Sequence, residues 1–284
     1  MITLNSDAAS TSLSKTTKAI LNEYGIKLNK NLGQNYLIDR NKRDQIIQFG
    51  NLTKDDVVLE IGPGIGTLTI ELAKRVKKVI AIEQDSNICQ ILENRLKKEN
   101  IDNVELINDD ALNVEFPKFD KIISNLPYQI SSPITFKFLN YDFQLAILMY
   151  QKEFASRMNG KVGSKDYSRL SAMLYFKCDV DLLTGVSAES FIPKPKVDST
   201  VVRLTPKLPE LNGQLKHLNI NEINEKDFKT YSKFVKALFQ HRNKKVKNAL
   251  IDSRHIITDL DKKEMKAKLN SIKQKKIEEL LSER

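Results

Sequence analysis

From Val57 onward the chain repeats one pattern, a short apolar run rich in β-branched residues followed by a stretch of helical length. The runs Val57–Ile61, Val79–Glu83, Val104–Ile107, Lys121–Ser124 and Leu145–Met149 have the length and composition of strands buried on both faces. Segments such as Leu68–Lys77 and Asn87–Lys98 fit the helices between them. Parallel strands require crossovers of this kind, so the pattern predicts a doubly wound α/β sheet. Ligands of such sheets bind outside the carboxyl ends of the strands.

The first run leads straight into Glu60-Ile61-Gly62-Pro63-Gly64-Ile65-Gly66. Glycines at alternate positions let the backbone approach a ligand, and the start of a helix faces the same spot. The spacing differs from the dinucleotide fingerprint Gly-x-Gly-x-x-Gly, and no Gly-Lys-Ser/Thr follows, so pyrophosphate is not the expected guest. Glu83 ends the second run, 21 positions after Gly62, where a carboxylate accepts hydrogen bonds from both hydroxyls of a ribose. Asp110 follows the third run and suits an adenine amino group. Alone, the glycine turn is also compatible with an ordinary tight connection; the ordered set of strand, glycines and two acids points to a nucleoside.

The fourth run enters Asn125-Leu126-Pro127-Tyr128. An exocyclic adenine nitrogen is a poor nucleophile because its lone pair is delocalised into the ring. Two acceptors on its N–H groups, the Asn125 side-chain oxygen and the Leu126 carbonyl, draw it toward tetrahedral geometry. Pro127 stiffens the backbone, and the Tyr128 ring offers a stacking face for which the hydroxyl is dispensable. Positioning and local electrostatics then supply most of the rate, without a strong base. Alone, the tetrapeptide is also compatible with a plain strand-ending turn; following the glycine turn and both acids, it points to methylation of an adenine amine with S-adenosyl-L-methionine as donor.

Charge is unevenly placed. Of a formal +10, residues 207–284 contribute most, with 19 Lys and Arg against 11 Asp and Glu. A basic module beside a nearly neutral one suits a polyanion such as RNA, although a solvated lysine-rich surface has the same composition. Past Val197–Leu204, which alternates like a strand, Pro206 and Pro209 break the pattern. Lys226–Gln240, Asn243–Asp252, Lys262–Asn270 and Gln274–Leu281 then carry helical spacing, so a small helical domain is expected. Residues 1–27 are read as a loose leader without a transit or signal pattern. No run approaches a membrane span, which leads to a cytoplasmic expectation. Cys89 and Cys178 form no paired motif and His217, His241 and His255 no ligand spacing, so neither disulfides nor metal are expected.

With these motifs in hand, residues 28–250 resemble the ribosomal RNA adenine dimethyltransferase family, the KsgA/Dim group, and in particular its archaeal branch. Leu32-Gly33-Gln34-Asn35-Tyr36-Leu37 resembles the family's first cofactor motif, with Tyr36 where phenylalanine is usual. The resemblance implies a Rossmann-like methyltransferase sheet in residues 28–206 and a basic helical domain in 207–284. It implies that Asn35, Leu37, Gly62, Glu83, Asp110 and Asn125 contact S-adenosyl-L-methionine, and that Asn125, Leu126 and Tyr128 serve transfer. Phe191-Ile192-Pro193-Lys194-Pro195-Lys196-Val197-Asp198-Ser199 resembles a second signature, whose aromatic, here Phe191, would sandwich the target base with Tyr128. Phe191 is equally compatible with a place in the core. Phe239–Leu250 resembles the basic segment of the ribosome-assembly branch, with His241-Arg242 where paired arginines are typical.

The implied reaction gives N6,N6-dimethyladenosine at two adjacent adenosines near the 3′ end of small-subunit ribosomal RNA. The implied partner is that RNA or a pre-small-subunit particle, and the implied actor a monomer. An Erm-type large-subunit methylase shares the catalytic half, and a non-catalytic nucleic-acid-binding factor shares the charge. The basic segment argues against the former and the intact Asn125–Tyr128 tetrapeptide against the latter. Cytosine C5 methylation would need a Pro-Cys nucleophile, and neither cysteine follows a proline.

Overall fold

A computed structural model describes residues 12–26, 35–207, 225–241 and 243–282. Leu32 to Gln34, Pro209, His217 and Arg242 of the sequence reading lie outside them. The chain divides into two compact units, residues 1–159 with 177–206, and residues 160–176 with 207–284.

The first unit begins α1 (Leu13–Glu23), β1 (Tyr36–Leu37), α2 (Arg40–Phe49), β2 (Val57–Ile61), α3 (Thr69–Ala73) and β3 (Lys78–Glu83). It continues α4 (Ser86–Lys98), β4 (Val104–Asn108), β5 (Lys121–Asn125), α5 (Ser131–Phe138), β6 (Leu145–Gln151) and α6 (Lys152–Met158). Helix α7 (Arg169–Lys177) leads back into β7 (Cys178–Val186), β8 (Phe191–Ile192) and β9 (Ser199–Pro206). Seven strands form one sheet in the order β4-β3-β2-β5-β6-β9-β7, and β1 pairs separately with β8. The pairs from β4 to β6 are parallel, while β9 runs antiparallel to both β6 and β7.

This is the expected α/β sheet, and its order places the site. The chain winds from β2 outward through β3 to β4, then returns to lay β5 on the other side of β2. The crevice at that reversal opens between the carboxyl ends of β2 and β5. Val58, Leu59, Ile80, Ile122 and Ile147 are fully buried in the sheet, each contributing about 1.5–3 kcal/mol of burial.

In this unit two expectations are corrected and one strand is added. Residues 13–23 are not loose: Ser12 accepts from the Lys15 N–H, and Ile20 and Leu21 of α1 pack with Tyr36, Ile65, Ile88 and Ile91. Their apolar positions recur at helical spacing within a polar stretch, and the partners that bury them lie far along the chain. Second, α3 covers only Thr69–Ala73, shorter than Leu68–Lys77, because the chain tightens at Arg75, whose N–H bonds to the Leu72 carbonyl. Third, β7 went unread: its alternation is weak, since one face of this edge strand is solvated.

In the second unit, α8 (Glu225–Phe239), α9 (Val246–Asp252), α10 (Arg254–Ile257) and α11 (Lys262–Ser282) follow. Ala237, Leu250, Ile251 and Met265 form their core. Phe176 stacks on Tyr231 with centroids 4.5 Å apart, and the Tyr231 hydroxyl donates to the Ala172 carbonyl at 2.8 Å. The two helices expected over 262–281 are one, because no proline or glycine interrupts them.

Candidate active site

One cavity in the first unit is bordered by Asn35, Leu37, Gly62, Glu83, Asp110, Asn125, Leu126 and Tyr128. All the sequence-derived site residues except Phe191 therefore converge, from the ends of β1, β2, β3, β4 and β5. Gly62 and Gly64 adopt φ of +67° and +55°, a region costly for side-chain-bearing residues. A Cβ on Gly62 would sit 3.0 Å from Pro127 Cγ, and one on Gly64 2.9 Å from Tyr36 Cε1. The turn is bare because the tetrapeptide and the Tyr36 ring already crowd it.

Glu83 closes β3 and braces that turn. Its Oε2 accepts the Gly64 N–H at 3.2 Å and its Oε1 the Asp85 N–H at 3.0 Å. Burial raises its pKa while these backbone donors oppose the rise. Asp110 accepts the Leu112 N–H at 2.9 Å and so holds the turn after β4 at the cavity rim. Leu37 borders the cavity while its side chain packs in the main core.

The sequence reading missed Glu60. It lines the same cavity, is 1% exposed, and its Oε2 has no hydrogen-bond partner among the described residues. Burial pushes its carboxyl up to about 8; the neighbouring Thr69 hydroxyl opposes the shift and Glu83 adds to it. The signal was its place two residues before Gly62, an acid inside an otherwise apolar strand. The Tyr36 hydroxyl is likewise buried without a partner.

Asn125 ends β5, where its Nδ2 donates to the Asn35 carbonyl at 3.0 Å. That bond fixes the rotation of the amide and leaves the Oδ1 end as its acceptor. Pro127, at φ −59°, leads into a tight turn over Tyr128–Ile130. The Tyr128 hydroxyl is not idle, as stacking alone would allow: it shares a 2.6 Å hydrogen bond with Ser199 Oγ. Phe191 is corrected from stacking residue to core residue. It is 2% exposed and packs with Leu37, Val186 and Val201, because pairing of β8 with β1 turns it inward.

Among the described residues, no group of three or more His, Cys, Asp and Glu could hold a metal ion. Cys89 and Cys178 are buried and free, and no described helix is long and apolar enough to cross a membrane.

Known proteins are similar to this chain. A probable ribosomal RNA small subunit methyltransferase A of Methanosphaera stadtmanae is 50% identical over 256 residues, covering 90% of this chain and 89% of that protein. The protein of the same description from Methanothermobacter thermautotrophicus is 47% identical, covering 86% and 83%. The crystal structure of a dimethyladenosine transferase from Plasmodium falciparum superposes with a TM-score of 0.65 at 36% identity, over 76% of this chain and 74% of that one. The 23S rRNA methyltransferase ErmE superposes at 0.60 with 28% identity, over 76% and 84%. The model of the ribosomal RNA adenine dimethylase family matches residues 25–283, and the chain belongs to that family.

Proposed function

We propose that this enzyme transfers methyl groups from S-adenosyl-L-methionine to the N6 amine of two adjacent adenosines near the 3′ end of small-subunit ribosomal RNA, yielding N6,N6-dimethyladenosine. The observation that carries the reading is Asn125, held by the Asn35 carbonyl at the end of β5 in the cavity shared with the glycine turn and Glu83. The proposal includes action by a single chain, in the cytoplasm, on the RNA within a pre-small-subunit particle.

The residues present fit the cofactor. Gly62 and Gly64 border the cavity without side chains of their own, Glu83 stands where ribose hydroxyls would be held, and Glu60 offers a buried carboxyl oxygen with no partner among the described residues. Asn35, Leu37 and Asp110 complete the group expected to hold it. When bound, the cofactor supplies an electrophilic sulfonium methyl. The chain's own task is to present the amine. In the first transfer Asn125 Oδ1 and the Leu126 carbonyl accept its two N–H groups, and in the second one of them accepts the single N–H that remains, directing the lone pair outward. As the nitrogen becomes cationic these bonds strengthen, which favours the transition state over the ground state. Tyr128 supports the base from the side, and the nitrogen, once it carries positive charge, releases its proton to solvent.

The test is to incubate the protein and labelled cofactor with small-subunit particles, large-subunit particles and naked RNA in parallel, then digest and identify the nucleoside. Dimethyladenosine in small-subunit RNA is expected. Label only in large-subunit RNA would move the chain to the ErmE-like branch, and no label would make it a binding factor.

A further inference from the structure

We infer that Ser199 is a positioning residue for methyl transfer, holding the Tyr128 ring at the angle from which it supports the target base. The inference rests on the proposed stacking role of Tyr128.

The tie joins two segments 71 residues apart and is short, at 2.6 Å. Ser199 is 1% exposed and opens β9, where its backbone pairs with Gln151 of β6 on one side and Val186 of β7 on the other. The preceding residue is anchored as well. Asp198 Oδ1 accepts the Ala188 N–H at 2.9 Å, and its carbonyl accepts the Lys152 N–H at 3.0 Å. The Ser199 hydroxyl is therefore fixed to the sheet from several directions. Tyr128, by contrast, sits in a three-residue turn beyond the carboxyl end of β5, where its backbone alone leaves two side-chain torsions to swing. Bonding the far end of the ring to Ser199 removes that freedom. Burial keeps the hydroxyl protonated, so the bond persists across the working pH range.

A tie of this kind acts on turnover and not on docking. A neutral hydrogen bond contributes about 0.5–1.5 kcal/mol, which converts to roughly a two- to tenfold loss when the ring is released. The test measures single-turnover methylation of small-subunit particles, particle affinity and cofactor affinity for Ser199→Ala, Ser199→Thr, Tyr128→Phe, Tyr128→Ala and the double variant Ser199→Ala/Tyr128→Phe. Ser199→Ala and Tyr128→Phe should each slow turnover about two- to tenfold at unchanged particle and cofactor affinity. The double variant should be no slower than either, and Ser199→Thr, which keeps the hydroxyl, should recover most of the rate. Tyr128→Phe leaves β9 untouched, so it reads the bond even where Ser199→Ala folds poorly. Full turnover by folded Tyr128→Phe, or additive losses in the double variant, would overturn the positioning role. Full turnover by Tyr128→Ala would instead remove the stacking role beneath it.

Discussion

Replacing Asn125 by alanine separates chemistry from architecture at this site. The folded protein loses one neutral hydrogen bond, from Nδ2 to the Asn35 carbonyl at 3.0 Å. Such a bond contributes about 1 kcal/mol, and in a protein of this size that lowers Tm by roughly 2–4 °C. The loss in turnover should be far larger. Removing one group aimed at developing charge costs on the order of 10²- to 10³-fold, or about 3–4 kcal/mol. Asn125→Asp sharpens the comparison, because the shape is kept while a second oxygen replaces the donor that faces Asn35. Repulsion between that oxygen and the carbonyl should make Asp less stable than Ala, with turnover still low. The assay is single-turnover methylation at saturating cofactor and particle, alongside thermal unfolding and particle binding. A folded Asn125→Ala enzyme working within about threefold of wild type would refute the mechanism and leave Asn125 as a strand-ending turn residue.

Three further outcomes follow from the same geometry. Glu83→Ala should weaken S-adenosyl-L-methionine binding at least tenfold by calorimetry, since charged hydrogen bonds contribute about 1.5–3 kcal/mol each; unchanged affinity in folded protein would remove Glu83 from the site. Glu60, with its carboxyl raised from 4.5 to about 8, keeps its proton in the folded state after the unfolded chain has lost it. Its neutral form therefore favours folding fully below pH 4.5, and that advantage fades as pH rises toward about 8; Glu60→Gln should flatten this part of the denaturant-measured profile, and an unaltered slope would contradict the burial argument. Particle binding should weaken steeply with salt, and Lys245→Gln should reduce the logarithmic slope by about one; an unchanged slope would show that this exposed lysine meets no phosphate. This charge change is a cleaner test than deleting residues 207–284, because the deletion would strip Tyr231 from Phe176.

The sequence by itself determined the parts of the site that are local in the chain. A buried strand, the glycine turn after it, the acid ending the next strand and the Asn125–Tyr128 tetrapeptide are each written within a few residues, so periodicity and turn chemistry expose them. The parallel order of the strands then brings these ends to one crevice, which is why the candidate cavity is legible in the sequence. Tertiary structure alone decided which side chains those ends would meet. The pairing of β8 with β1 turned Phe191 into the core, and helix α1 found its buried face only against Ile65 and Ile88. Glu60 reads as one more strand residue until burial leaves its carboxyl oxygen without a partner among the described residues. Ser199 meets Tyr128, 71 residues away in the chain, because β9 inserts antiparallel beside β6. Contacts of that separation depend on the topology of the whole sheet, and no window of neighbouring residues carries them.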